Sequence, residues 1–141
     1  MADETTELRV RLVTPERTLF EQGADSVLLP SLSGYIEVMP GHAPLMTELG
    51  VGEVAITNAE GESRYFVGWG FAEVLPDRVT ILASEAQKPE EIDVPAAEKQ
   101  LDLGIEQWKH CDETLEANDA AERIMNEAEA RLAVAGEKLN G

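Results

Sequence analysis

The chain has 141 residues, of which 43% are hydrophobic, so it contains enough apolar material for one sizeable domain, or for a small domain with an appendage. Its formal net charge of −17 argues against a nucleic-acid partner and against direct docking on anionic lipid, because both need Lys and Arg to neutralise phosphate. The same charge favours a basic protein partner.

The sequence shows no segment that predicts a membrane span or a secretory signal. Apolar runs such as residues 27–29 are far shorter than the ~20 residues that cross a bilayer. Residues 1–7 are acidic and polar, without the basic start and apolar core of a signal peptide. The single cysteine, Cys111, excludes an internal disulfide and fits a reducing compartment. We therefore expect the protein in the cytoplasm.

The first 84 residues predict β-strands joined by tight turns. Leu8, Val10 and Leu12 alternate with two arginines, which is the pattern of a half-buried strand. Pro40 and Gly41 fit a type II turn, and residues 58–61 and 76–77 separate strands closely enough to form hairpins. These short strands without an intervening helix indicate an antiparallel sandwich or barrel. The other predicted strands are 25–29, 34–39, 52–57, 64–67, 71–75 and 78–83.

The chain changes character near Glu85, where the apolar residues shift to helical spacing. Pro95 is tolerated in a first helical turn, residues 109–118 are polar enough for a turn, and residues 119–122 have the spacing of a capping box. Two helices with a short link predict an antiparallel hairpin. The predicted apolar positions are Ala97, Leu101, Ile105 and Trp108, followed by Ala121, Ile124, Met125, Ala128, Leu132 and Ala135.

Residue patterns typical of catalysis or metal binding are missing from the sequence. His42 lies far along the chain from His110 and Cys111, and adjacent residues are poorly placed for joint tetrahedral coordination. Neither a Gly-x-Ser-x-Gly elbow nor a phosphate-binding loop occurs. Trp69 and Trp108 are expected to be packing residues. The sequence therefore predicts a protein that is not an enzyme and holds no metal.

Residues 34–47, which read Gly-Tyr-Ile-Glu-Val-Met-Pro-Gly-His-Ala-Pro-Leu-Met-Thr, are the most distinctive segment. They closely resemble the Gly-(acid)-x-Gly-x-x-Pro-Gly-His-Ala-Pro-Leu-x-Thr signature of the ε subunit of F-type ATP synthases. Further matches occur in order along the chain, at residues 12–16, 70–74, 79–83 and 92–93. The resemblance implies a mainly β plus α fold, with an N-terminal antiparallel β-sandwich over residues 1–86 and a C-terminal two-helix hairpin over residues 87–141.

The resemblance also implies a role and a set of partners. The chain would be a non-catalytic central-stalk subunit that contacts the γ subunit and the membrane c-ring and couples ring rotation to ATP synthesis. Its hairpin would reach the α/β catalytic head and restrain ATP hydrolysis. The protein would lie on the cytoplasmic face of the bacterial inner membrane as a peripheral part of the complex, without direct lipid contact.

Site residues follow from the resemblance position by position. Thr14, His42 and Thr47 match positions on the γ-facing side. His42 has an alternative interpretation, in which its imidazole hydrogen-bonds nearby backbone and holds the loop. The implied c-ring contacts are Ser31, Leu32, Ser33, Gly34 and Tyr35, and the signature turn consists of Pro40, Gly41, His42, Ala43 and Pro44.

Several positions depart from the family pattern. Tyr35 stands where an acid often follows the loop glycine, so a charged contact with the c-ring is expected to be weakened or shifted. Glu37 occupies a usual glycine position. Ile92 and Asp93 begin the motif of ATP-binding members, but Ala96 stands where that motif has arginine, the natural bidentate partner of phosphate. We therefore expect no ATP binding and no cofactor. The second helix carries few basic residues, so its restraint of hydrolysis is expected to be weak or to use another mechanism.

Two other interpretations stay open from the sequence. The chain could be a free-standing β-sandwich binding module, or a small β enzyme, with an accessory helical pair. It could also be an inhibitory hairpin protein in which the sandwich serves only as an anchor.

Overall fold

The structure is a computed structural model that describes residues 7–110 and 115–140, although the side chains of 115–117 and 137–140 are not described. The chain divides into two compact units, Met1–Lys88 and Pro89–Gly141. The first unit contains the β-strands and the second contains the helices. The assignment of separate roles to the two parts of the chain stays a prediction.

The described part of the first unit contains eight β-strands, as the alternating pattern and turn residues of the sequence predict. They are β1 (Leu8–Val13), β2 (Thr18–Ala24), β3 (Ser26–Ser31), β4 (Gly34–Val38), β5 (Leu45–Leu49), β6 (Gly52–Asn58), β7 (Gly61–Leu75) and β8 (Arg78–Gln87).

The strands form a sandwich in the order β2-β1-β8-β7-β5-β3-β4, with β6 paired to both β3 and β7. One strand, β7, is 15 residues long and serves both layers. Its residues 61–67 pair with β6, its residues 70–74 pair with β5, and its residues 66–68 and 70–75 pair with β8. The predicted sandwich is confirmed, and its strand pairs are antiparallel except that β1 and β8 are parallel.

The core lies between the layers and is built from the inward residues of nearly every strand. Leu8, Val10 and Leu12 are fully buried, which confirms the alternation predicted for β1. Each fully buried aliphatic or aromatic side chain contributes about 1.5–3 kcal/mol relative to its exposed state. The largest buried side chains are Phe66, Leu8, Leu12, Leu29, Leu49, Ile56, Ile81, Val10, Val27, Val38, Val54 and Val67.

The predicted turns are confirmed. His42 N donates to Met39 O at 3.1 Å, and Gly41 has φ +89°, the positive value that a type II turn requires at its third residue. The pairing of Asn58 with Gly61 leaves two residues in the β6–β7 turn. The β7–β8 turn, residues 76–77, is equally short.

The strand prediction is wrong in two respects. It misses β2, which runs through Gly23 and two adjacent polar residues. It also misses β5, which begins directly after a proline and carries the apolar Met46 on its outer side. It also splits β7 into 64–67 and 71–75. The break is absent because Gly70 continues the strand where it passes close to β8: a Cβ there would lie 2.0 Å from Leu82 O.

The second unit begins with a 3₁₀ turn, Pro89–Glu91, and continues into α1 (Val94–Lys109) and α2 (Leu115–Asn140). Asp93 caps α1 by accepting a hydrogen bond from Ala96 N at 3.1 Å, and Pro95 lies in the first turn as predicted. The start predicted for α2 is wrong. Residues 115–118 are already helical, so Asp119 lies inside α2 and is not its N-cap. Residues 111–114 of the predicted turn lie outside the described residues.

The two helices run antiparallel, which confirms the predicted hairpin. Arg131 Nη1 donates to Gln100 Oε1 at 3.2 Å, and Gly104 lies against Met125, nearer the other end of α2. The predicted apolar stripe of α1 is wrong at Ile105 and Trp108, which are 37% and 54% exposed. The helices approach each other closely at Gly104, so the face of α1 that carries Gly104 is the one that packs on α2. Among the side chains of α1 and α2 that the structure describes, the buried residues are Ala97, Gly104, Ala121, Ala128, Val134 and Ala135.

Candidate protein-binding site

Four large apolar side chains lie exposed on one outer face of the sandwich. Met46 of β5, Trp69 and Phe71 of β7, and Leu82 of β8 are 66%, 40%, 53% and 55% exposed. Phe71 pairs directly with Leu82, and Met46 pairs with Glu73, two residues further along β7. Because paired residues and alternate residues point to the same face, these four side chains form one apolar strip.

The opposite side of the same strands faces the core, so the strip is not a continuation of the core. Ala72 and Ile81 are a cross-strand pair with no exposed surface, and each is adjacent in sequence to a strip residue. Antiparallel sheets normally present polar residues to solvent in the outward positions. A contiguous exposed apolar patch marks a surface that another molecule covers. The apolar strip is therefore the candidate binding site.

The strip leads at one end into a shallow groove. Val13, Thr14 and Pro15, at the end of β1, form one wall, and Trp69 lies against the other side. The groove therefore joins the β1–β2 loop to the apolar strip.

Carboxylates border the strip on two sides. Glu48, which pairs with Phe71, and Glu73, which pairs with Met46, are exposed. Farther out, Arg11 lies 3.7 Å from Glu21, so the nearest basic side chain of β1 is already paired. An apolar centre with an acidic border complements a partner surface that is apolar in its centre and basic at its edge.

The residues predicted to face γ do not form one cluster. Thr14 borders the groove, where its hydroxyl accepts from Arg17 N at 3.3 Å. Thr47 pairs with the buried Ala72, so it points away from the strip. His42 lies in the β4–β5 loop, where its Nδ1 is 2.7 Å from Ala43 O. That contact is the backbone hydrogen bond of the alternative interpretation, and the γ contact itself stays a prediction.

The signature turn lies at the end of the sandwich where β7 ends. Gly41 N donates to Pro76 O at 2.8 Å, which ties this turn to the β7–β8 turn. Pro40 is half-buried, whereas Ala43 and Pro44 are exposed. The signature turn and the groove around Thr14 are thus anchored at different parts of the sandwich.

The residues predicted to face the c-ring form the tip of the β3–β4 hairpin. Ser31 pairs with Gly34, which leaves Leu32 and Ser33 as the turn, and Gly34 has φ +128°. The hydroxyl of Ser31 donates to Gly34 O. Leu32 is 57% exposed and Tyr35 is 54% exposed. The tip thus presents two apolar side chains and no charge.

The remaining candidate residues, at the start of the helical unit, have structural roles. Ile92 is 8% exposed, and Asp93 is the cap of α1. Arg131, one of the few basic residues of the second helix, contacts Gln100 and lies 3.8 Å from Glu127. Over residues 7–110 and 115–140 no group of His, Cys, Asp or Glu could hold a metal ion, and no helix has an apolar stretch long enough to cross a membrane.

Comparison with known proteins gives the family. The sequence profile of the ATP synthase delta/epsilon chain β-sandwich domain matches residues 7–89, which is more than half of the chain. The chain belongs to this family.

Two epsilon chains illustrate the extent of the similarity. The ATP synthase epsilon chain of Moorella thermoacetica is 38% identical over 130 residues, which are 92% of this chain and 96% of that one. The epsilon chain of Koribacter versatilis is 49% identical over 89 residues, which are 62% of each chain. The predicted resemblance to the ε subunit of F-type ATP synthases is therefore confirmed.

A solved structure shows that the fold itself is shared. A chain of the Euglena gracilis mitochondrial ATP synthase, in an assembly of OSCP, F1 and c-ring, superposes with a TM-score of 0.80 over 99% of this chain and 85% of its own length. The sequence identity is 20%, so this likeness concerns the fold. Membership of the epsilon chain family argues against the alternative interpretation of the chain as a free-standing β-sandwich binding module.

The sequence contained a signal for the apolar strip that our prediction did not use. Trp69 and Phe71 occupy alternate positions of β7, and the residue between them, Gly70, passes close to β8. Once β7 is continuous, this alternation puts both aromatic rings on the outer face. We expected Trp69 to be a packing residue, but 40% of it is exposed, so it packs only in part.

Proposed function

We propose that this epsilon chain is a non-catalytic central-stalk subunit that couples rotation of the c-ring to ATP synthesis through the γ subunit. Family membership supports the assignment to the complex. The observation that carries the role in binding is the apolar strip, because a β-sandwich of an acidic chain has no folding reason to expose Met46, Phe71 and Leu82 together.

The γ subunit is the proposed occupant of the apolar strip. Covering the exposed parts of the four strip side chains contributes on the order of 1 kcal/mol each. The acidic border formed by Glu48 and Glu73 selects a γ surface with basic residues at its edge and accelerates encounter at low salt. Thr14 lies within reach of the same partner through the groove.

The tip of the β3–β4 hairpin is proposed to contact the c-ring. Support comes from its position at the end of a hairpin and from the exposure of Leu32 and Tyr35. In this arrangement the chain lies at the cytoplasmic face of the bacterial inner membrane, held there by protein contacts and without direct lipid contact.

The hairpin of α1 and α2 is proposed to contact the α/β catalytic head and to restrain ATP hydrolysis. Its small buried residues, such as Ala121 and Ala128, bury little area, so the hairpin is suited to more than one docking position. We propose that it does so without binding ATP. Asp93 is engaged as a helix cap, and Ala96 cannot supply the bidentate hydrogen bonds of arginine to phosphate.

The test is a titration of the purified chain into a catalytic head that contains γ but lacks its own epsilon chain. We expect saturation at one copy per head, and no binding to a head without γ. A Phe71→Ser variant should bind more weakly by about tenfold, since ~1.4 kcal/mol of lost burial corresponds to that factor. Glu60→Gln, an exposed change in the β6–β7 turn, is the matched control and should bind like the unmodified chain.

ATP hydrolysis followed in the same titration tests the hairpin. A fall in the rate on binding supports restraint by the helices, and truncation after Lys88, the last residue of the first unit, should remove that fall while leaving binding to γ intact. Equal binding to heads with and without γ contradicts the proposed role.

A further inference from the structure

The tip of the β3–β4 hairpin is held in place by hydrogen bonds to residues 48–53, which end β5, join it to β6 and begin β6; these residues are called the β5–β6 segment. Leu32 N donates to Glu48 O at 3.3 Å, and Gly50 N donates to Pro30 O at 2.8 Å. On the other strand of the hairpin, the hydroxyl of Tyr35 accepts from Glu53 N at 3.0 Å. The exposure of the tip side chains therefore occurs in a fixed conformation.

Two glycines make this close contact possible. A Cβ on Gly52 would lie 2.6 Å from the Tyr35 hydroxyl oxygen and 2.7 Å from Pro30 Cβ. A Cβ on Gly50 would lie 3.3 Å from Leu32 Cδ2. The missing side chains leave room for Tyr35 and Leu32 to lie along the β5–β6 segment. The pair is thus oriented before any partner arrives, which lowers the entropy lost on binding.

The tip itself is uncharged, and the exposed carboxylate of Glu37 lies two residues beyond Tyr35 on the same face of β4. Residues 31–35 contain no carboxylate and no basic group. Glu53, whose backbone anchors Tyr35, has its carboxylate 2.5 Å from Arg64 Nη1, and the same guanidinium also contacts Glu62. The family signature has an acidic residue near this point, whereas here the position is an aromatic ring that is 54% exposed.

We infer that the tip contacts the c-ring through Leu32 and Tyr35 as an uncharged aliphatic–aromatic pair, so that this contact does not depend on ion pairing. The inference rests on the proposed function, which supplies the ring as partner. The complementary ring surface is an uncharged one, made of aliphatic, amide or hydroxyl groups, because a charged group placed against the pair would lose water without gaining a counter-ion.

The experiment measures the affinity of the γ–epsilon chain complex for the detergent-solubilised c-ring at 50 and 500 mM KCl. The quantity of interest is the ratio of the variant's Kd to that of the unmodified complex, because a ratio cancels the salt dependence that the rest of this acidic chain causes. Leu32→Ser should weaken binding about fivefold at both salt concentrations, since apolar burial is not screened. Tyr35→Glu should weaken binding more than tenfold at 50 mM KCl, because it places a carboxylate in an uncharged contact.

The outcomes separate the inference from the proposed function. Binding by Tyr35→Glu that equals or exceeds that of the unmodified complex means an ionic contact and overturns the inference. A Leu32→Ser ratio near one at either salt concentration overturns it as well. No detectable binding of the unmodified complex to the ring contradicts the proposed function itself. Binding of each variant to γ and its thermal unfolding, with Glu60→Gln as the control variant, show whether the fold is intact.

Discussion

Gly104 allows a sharp test of how closely the two helices approach. A Cβ added at this position would lie 2.7 Å from Met125 Cγ, 3.1 Å from Ile124 Cγ2 and 3.2 Å from Met125 N. The methionine side chain can rotate away, but the backbone nitrogen moves only if the helices separate. Gly136 in α2 offers the matched case, because no atom of the described part of the chain lies within 4 Å of a Cβ added there.

The expected magnitudes follow from two opposing effects. Replacing a helical glycine by alanine stabilises the helix by ~1 kcal/mol at either position. Overpacking a close contact costs about 1–3 kcal/mol, and this cost applies only at Gly104. Gly136→Ala should therefore raise the free energy of unfolding of the helical unit by about 0.5–1 kcal/mol. Gly104→Ala should leave it unchanged or lower it by up to ~2 kcal/mol.

The assay is guanidinium unfolding of the full chain, followed by circular dichroism at a helix-specific wavelength. The two variants should differ by roughly 1–3 kcal/mol, with Gly104→Ala the less stable. If Gly104→Ala stabilises the chain as much as Gly136→Ala does, the helices do not cross closely at Gly104, and the reasoning about the buried face of α1 is refuted.

Two further substitutions test local geometry. Gly70→Ala should lower the free energy of unfolding by at least ~3 kcal/mol or prevent folding, because its Cβ would lie 2.0 Å from Leu82 O. Gly68→Ala is the control: its Cβ would lie 3.4 Å from the nearest atom, so the same denaturation assay should show a change of less than about 1 kcal/mol. Asp93→Ala should lower the stability of α1 by ~1 kcal/mol through loss of the cap on Ala96 N, and Asp93→Asn should retain most of it; equal melting of the two variants would contradict a capping role.

The features that were predictable from the sequence are those set by local chemistry. The alternation of Leu8, Val10 and Leu12 gives a strand because only a period of two buries all three on one side. Pro40 and Gly41 determine their turn through the φ values that each residue favours. The helical hairpin follows from apolar spacing, and the family from the signature segment.

The features that were missed depend on contacts between distant segments. The continuity of β7 through Gly70 depends on the carbonyl of Leu82, which the local sequence does not contain. The buried face of α1 depends on α2, because Met125 packs against Gly104 and leaves Ile105 exposed. The apolar strip could be found only after β7 was known to be continuous, since the outward direction of Phe71 depends on that register.

The parallel pairing of β1 with β8 has a consequence for synthesis of the protein. β1 (Leu8–Val13) leaves the ribosome before its partner residues 78–82, which follow about seventy positions later, as the registers Arg9↔Arg78 and Val13↔Leu82 show. Contacts of such high sequence separation form slowly, because a long loop must close first. Until β8 is synthesised, β1 can pair only with β2, and the edge of β1 that later binds β8 is unpaired. We therefore expect the nascent chain to be most prone to aggregation just before β8 emerges.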